Sequence, residues 1–222
     1  MGDIREHIWI IGAGKFGLRA ALWLNRQKDR SFDITMVDLD RESLTEAEAL
    51  GCRTQQADAV SFLHHSLTRN NGPDWVVPAV PVHLAFEWCR HRLGHERLLS
   101  EPLPDGIDAC LPNPMKGQGS DIYVSHADFL CPPNCNEPDD RCTKTGKPRK
   151  TDMFTLLERV SFQDITPFVI QSVQLGPGVG GYAPAAMFAL LTRLEHHRGR
   201  CFVATACRCH GVVSGAVVYG SA

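Results

Sequence analysis

Apolar positions in the first ninety residues fall alternately into short unbroken runs and into helical spacing. The run His7–Ile11 (HIWII) stops at Gly12 and reads as a buried strand closed by a turn. A helix follows, and then "FDITMVD" predicts a second strand ending at Asp38. "GCRTQQADA" gives a short third strand with Asp58 behind it. "AVSFLHHSLTRN" gives a helix that Asn71-Gly72-Pro73 ends. "DWVVPAV" is a fourth strand. Pro81 then suits the first turn of a helix with Val82, Phe86, Cys89 and Leu93 on its apolar face and Gly94 as its stop. Strands alternating with helices predict an α/β protein with a doubly wound, Rossmann-like parallel sheet.

Past Gly94 the pattern loosens. Residues 95–121 hold four prolines and three glycines and read as an irregular connection. "IYVSHADF" is a strand, "TDMFTLLERV" a helix capped by Thr151 or Asp152, and "TPFVIQSVQL" a strand. A glycine loop then opens a helix with Pro184 in its first turn, and "CFVATACRCHG" and "VVSGAVVYG" close the chain as strands. The expected division is a dinucleotide-binding part at 1–95 and a cysteine-bearing α/β part at 96–222, either a second small domain or an extension of the first sheet.

The first turn carries chemistry. Gly12-Ala13-Gly14-Lys15-Phe16-Gly17 spells G-x-G-x-x-G between strand and helix. Gly12 permits the turn, Gly14 lets a pyrophosphate approach the backbone, and Gly17 lets helix and strand pack closely. The helix start offers free N–H groups and a positive dipole end to phosphates. Asp38, 21 residues beyond Gly17, is placed to accept hydrogen bonds from ribose hydroxyls. Its charge opposes a 2′-phosphate and so favours NAD over NADP, although Arg41 nearby works against that preference.

Residues 7–94 resemble the NAD-binding domain of the TrkA-N or RCK type, which regulates potassium conductance and uptake. The resemblance is carried by Gly12, Gly14, Gly17 and Asp38, and by Ala57-Asp58-Ala59 where that family usually has Gly-Asp-Ala. It implies a bound NAD(H) or similar nucleotide with Asp58 near the adenosine. It covers about two-fifths of the chain, excludes the cysteine-rich half, and therefore transfers no role in potassium transport.

Nine cysteines alter the picture of the second half. Cys52, Cys89 and Cys201 lie in apolar segments and read as small buried hydrophobes; Cys110 has no assignment. Cys131-x3-Cys135-x6-Cys142 lies in a polar, proline-rich loop that gives a thiol nothing to pack against, and Cys207-x-Cys209-His210 closes a strand. If the strands before these groups are parallel neighbours, both groups reach one sheet edge, where a metal would supply the cation that thiolates need. A thiol–disulfide pair, incidental thiols, and two groups that serve separately are the alternatives. Zinc suits the C-x3-C spacing with His210 as a further ligand, and a [4Fe–4S] cluster suits three clustered thiols with a remote fourth. The polar wrapping and the surplus of thiols favour the cluster.

A second G-x-G-x-x-G at Gly176–Gly181 contains Pro177 and has no acid-terminated strand after it, so it reads as a close-approach turn beside the site, open to an anion with Lys144, Lys147, Arg149 and Lys150 near. His64, His65, His83, His91, His196 and His197 read as surface residues; His126 and His210 close strands beside the cysteines.

A formal charge of −2 excludes a global attraction to nucleic acid or anionic membrane. No apolar run reaches the ~20 residues that span a bilayer. The acidic start is no signal peptide, and Gly2 lacks the Ser or Thr that myristoylation wants, Glu6 standing there. The expectation is a cytoplasmic, NAD(H)-binding redox protein: an oxidoreductase acting on a small-molecule substrate, with His210 as proton donor, or else a sensing regulator acting on a partner protein, with a homodimer as the candidate assembly.

Overall fold

The computed structural model describes residues 5–220; Gly2 lies outside them. The first ninety residues run β1 (Arg5–Ile11), α1 (Lys15–Asn25), β2 (Ser31–Asp38), α2 (Arg41–Ala49), β3 (Arg53–Gln56), α3 (Ala59–Ser66), β4 (Trp75–Pro78) and α4 (Leu84–Leu93). The four strands form a parallel sheet in the order β3-β2-β1-β4, with Ile8 of β1 opposite both Ile34 of β2 and Trp75 of β4. Helices cover such a sheet on both faces, so its central strands are apolar almost throughout; Ile8, Ile10, Ile11, Met36 and Val37 are fully buried.

The remainder runs β5 (Leu98–Ser100), β6 (Met115–Lys116), β7 (Asp121–Ser125), α5 (Met153–Glu158), β8 (Thr166–Gln171), β9 (Val173–Gly176), β10 (Val179–Gly181), α6 (Pro184–Glu195), β11 (Gly199–Ala206) and β12 (His210–Val218). It builds a sheet of its own, ordered β6-β7-β12-β11-β8 with β5 also on β12. Only β8 and β11 pair in parallel. β11 and β12 are joined by the tight turn at Cys207–Cys209, which suffices only for antiparallel strands. The fold is thus α/β with a parallel sheet and a mixed one, and the parallel pattern stops at α4.

Two segments depart from expectation. The strand "TPFVIQSVQL" breaks at Ser172, whose N–H donates to Ala206 O. The chain then turns away from the second sheet as the hairpin β9–β10. The second glycine run is therefore a hairpin and not a loop opening directly into a helix. Pro177 followed by Gly178 at φ +68° is the residue pair a type II turn wants. The hairpin reaches the first sheet, where Val76 and Tyr182 exchange backbone hydrogen bonds of 3.0 Å in both directions.

One apolar cluster joins both sheets through α3, α4 and α6. It includes Ile11, Val37, Phe86, Trp88, Phe188 and Val203, so residues on both sides of position 95 build one core. Trp88 and Phe188 meet edge to face, their ring centroids 5.2 Å apart. His83 is in this interior and not on the surface, because α4 begins only at Leu84 and the residue before it points under the helix, not along its polar side.

Candidate functional site

The glycine turn is set by crowding at two positions and by space at the third. Gly12 has φ +110°, and a Cβ there would stand 2.5 Å from Ala79 O; a Cβ on Gly17 would stand 1.9 Å from Gly12 O. Both glycines are demanded by packing. A Cβ on Gly14 meets nothing within 4 Å, and Gly14 precedes α1 without a side-chain cap. The approach to Gly14 at the start of α1 is therefore open.

Asp38 closes this turn from the end of β2. Its Oδ2 accepts the Ala13 N–H at 2.5 Å and its Oδ1 the Asp40 N–H at 2.9 Å. A carboxylate has about four acceptor sites, so lone pairs remain for a ligand. Ala57 N–H donates to Asp38 O at 3.0 Å, which brings Asp58 to the same sheet edge. Asp58 caps α3 by accepting the Ser61 N–H at 2.8 Å, and that bond holds its carboxyl below the ordinary value. Arg41 is paired with Glu48 at 3.3 Å, so its charge is answered within α2.

The thiol loop and the strand-end turn meet. β7 and β11 point the same way with β12 between them, so Cys131 and Cys207 arrive at one sheet edge without their strands being neighbours. His210 stands between the two: its Nε2 is 3.4 Å from Cys131 Sγ and its Nδ1 is 3.9 Å from Cys207 Sγ. The turn at 207–210 is closed by Cys207 N–H to His210 O at 2.9 Å. It is held from outside by His126 N–H to Cys209 O and Met153 N–H to Arg208 O, both 2.9 Å. Arg208 pairs with Asp139 and Asp152 at 2.8 Å each.

Each remaining thiol has a polar neighbour. Cys135 Sγ is 3.0 Å from Thr143 Oγ1, and Arg149 donates to Cys209 Sγ at 3.2 Å. Hydrogen bonds from Thr145 hold the Cys142 thiol below its ordinary value. Burial pushes Cys131, Cys207 and Cys209 up, with Arg149 opposing the rise at Cys209. Loss of solvent around the ring lowers His210, with Glu137 opposing the shift. Burial thus favours the neutral thiols at these half-buried positions, and a metal would favour thiolates.

All five thiols and His210 line a cavity of about 1180 Å³, and Phe16 and Arg19 of α1 line it too. Gly178 and Gly180 of the hairpin form part of its wall. Cys110 is exposed and away from it, while Cys52, Cys89 and Cys201 are buried in apolar surroundings.

Sequence reasoning overlooked Glu137. Its Oε1 accepts the Cys209 N–H at 3.1 Å, and its carboxylate, Cys207 Sγ and a His210 ring nitrogen lie within 4.8 Å of one another. The available signal was an acid two residues after a loop cysteine. Arg149 was read only as part of a basic run, yet its side chain is 6% exposed and clamps Asp152 and Cys209.

Residues 85–218 match the family AF_1314_C, described as the C-terminal domain of an uncharacterized protein. The chain belongs to this family. A similar protein, described as uncharacterized, occurs in Archaeoglobus fulgidus; it is 30% identical over 220 residues, spanning 92% of this chain and 96% of its own. Among the described residues no helix is long and apolar enough to cross a membrane.

Proposed function

We propose that this chain is an NAD(H)-binding redox protein in which a Rossmann-like glycine turn holds the nucleotide and a cysteine-ligated metal centre, zinc or iron–sulfur, lies beside it. The observation that carries the reading is a cavity whose wall takes Phe16 and Arg19 from the helix that the glycine turn opens, and five thiols with His210 from the loop and turn beside the second sheet; Gly14, Asp38 and Asp58 are not part of that wall. The strand order β3-β2-β1-β4 supports the nucleotide half, because dinucleotides bind outside the carboxyl ends of such strands. The free approach over Gly14 suits a pyrophosphate, and the Asp38 carboxylate suits a ribose.

On this reading the protein is an oxidoreductase. Bound nicotinamide supplies two-electron hydride chemistry. Gly14 and the first turn of α1 would orient the phosphates, and Asp38 would fix the ribose. His210 enters either as proton donor or as a metal ligand, its ring lying between two thiols. A regulatory reading draws support from one contact: Gly178 at the hairpin tip donates its N–H to Cys135 O at 3.1 Å, linking the first sheet to the thiol loop.

An anaerobic absorption spectrum with metal analysis, joined to an NADH titration of the same sample, tests the proposal. A broad band near ~400 nm marks iron–sulfur; a colourless protein with stoichiometric zinc marks the other centre. Protein that binds neither metal nor NADH overturns the reading. NADH turnover with small acceptors favours the enzyme, and a ligand-dependent change of oligomeric state without turnover favours the regulator.

A further inference from the structure

The thiols do not form one uniform group. Cys135, Cys142 and Cys209 have their own partners in Thr143, Thr145 and Arg149. Cys207 sits in the turn itself: its sulfur faces the His210 N–H at 3.3 Å and shares the Cys209 N–H, at 3.4 Å, with the Glu137 carboxylate.

We propose that Glu137, Cys207 and His210 bind one divalent cation of the zinc type, through a carboxylate oxygen, a thiolate and an imidazole nitrogen, with the fourth position left to water or a substrate oxygen. This rests on the metal-centre reading and narrows its ligand set. The three ligand atoms already lie within 4.8 Å of one another. Tetrahedral zinc with bonds of about 2.0–2.3 Å sets its ligand atoms about 3.3–3.8 Å apart. Cys207 Sγ and His210 Nδ1, at 3.9 Å, are close to that spacing, so closure is a matter of small rotations.

Two further features point the same way. Glu137 has φ +45°, a conformation that residues with side chains avoid unless their surroundings impose it. Its N–H is directed at Cys135 Sγ at 3.4 Å, and its carboxylate is turned into the 207–210 turn. A metal-bound imidazole also needs a partner for its second nitrogen, which fixes the ring. His210 has that partner: Nε2 faces Cys131 Sγ at 3.4 Å while Nδ1 faces Cys207. Cys131 becomes the group that orients the ligand.

The mixed oxygen, nitrogen and sulfur set is what zinc accepts, whereas iron–sulfur clusters take thiolates almost throughout. Three protein ligands with an open fourth position are the arrangement of zinc sites that do chemistry, and all three ligands here line the cavity shared with α1. The substrate class is accordingly one that offers an oxygen to a cation, a carbonyl or a carboxylate.

The test uses the full chain, stripped with a chelator and reloaded with Zn(II). One zinc per chain is expected, with zinc-edge X-ray absorption giving one sulfur and otherwise nitrogen and oxygen in the first shell. Glu137→Gln should weaken Zn(II) at least about tenfold in chelator competition, and Cys207→Ser should weaken it more. Cys142→Ser should leave it unchanged. Zinc held by four sulfurs, or an affinity indifferent to Glu137→Gln, overturns this ligand set while leaving the metal centre standing. Wild-type protein that takes up no metal overturns both. The absorption spectrum needs only the wild type, so a variant that fails to fold does not remove the test.

Discussion

His83 Nδ1 lies 2.7 Å from Ser214 Oγ, which ties the entry to α4 to the middle of β12 inside the core. The ring's other nitrogen is 3.2 Å from Thr205 Oγ1, and the Ser214 hydroxyl donates to Asp121. Polar groups so deeply buried persist only when each has a partner.

Burial depresses the His83 pKa from 6.5 to about 3. The unfolded chain therefore takes up a proton that the folded protein refuses. Stability should be fully present above about pH 6.5 and lost as pH falls towards 3, with a slope approaching about 1.4 kcal/mol per pH unit. Asp121, raised by burial with Glu87 also facing it, works in the opposite sense at the acidic end. Urea unfolding between pH 7.5 and 4.5 should give a steeper dependence for wild type than for His83→Leu. Parallel slopes would show that His83 does not carry the effect.

Gly17→Ala and Gly14→Ala should part company. The first drives a methyl into Gly12 O and should cost on the order of 2–3 kcal/mol. The second enters open space at φ −69° and should change stability by no more than about 0.5 kcal/mol, yet weaken NADH at least about tenfold because the phosphates need that space. Thermal melts and fluorescence titrations check both, and undiminished NADH affinity in Gly14→Ala removes the turn from the nucleotide site.

Asp38→Ala should weaken NADH by roughly 1–3 kcal/mol, the scale of hydrogen bonds to a charged group. It also frees the Ala13 N–H, so a small loss of stability should accompany it. Calorimetry showing equal affinity in wild type and variant would leave Asp38 with only its role in the turn.

Metal removal should loosen residues 128–150 and 205–212 together, because Glu137, Cys131 and Arg149 of the loop all contact the 207–210 turn. Hydrogen exchange on stripped protein should show protection lost in both segments while β1 and β2 keep theirs. Loss confined to one segment would show the two groups to be energetically separate.

The parallel-sheet half was legible because its signals are local. An apolar run, a glycine turn and an acid-terminated strand each report on a few consecutive residues, and β1, α1 and β2 formed where that pattern predicts. The meeting of Cys131 with His210 was legible only as far as both follow strands; that β12 lies between those strands depends on non-local pairing, which no window of sequence contains. Gly176–Gly181 repeats the letters of the first glycine turn and folds otherwise, since Pro177 sets a hairpin turn and β4 offers an edge to dock on. Glu137 was invisible for another reason: a single acid in a polar loop has no periodicity, and only its backbone conformation aims it inward.

The β9–β10 hairpin is gripped at both ends. At its base Tyr182 is hydrogen-bonded to Val76 beside the glycine turn's sheet, and at its tip Gly178 and the side chain of Gln174 both donate to Cys135 O. A Cβ on Gly178 would stand 2.2 Å from Pro133 O, so the tip has no slack against the thiol loop. Such an arm connects the edge of the first sheet to the thiol loop. On the proposed function, a nucleotide that shifted the end of β4 through this arm and changed a cation's affinity would, by thermodynamic reciprocity, have its own affinity changed by the cation by the same factor.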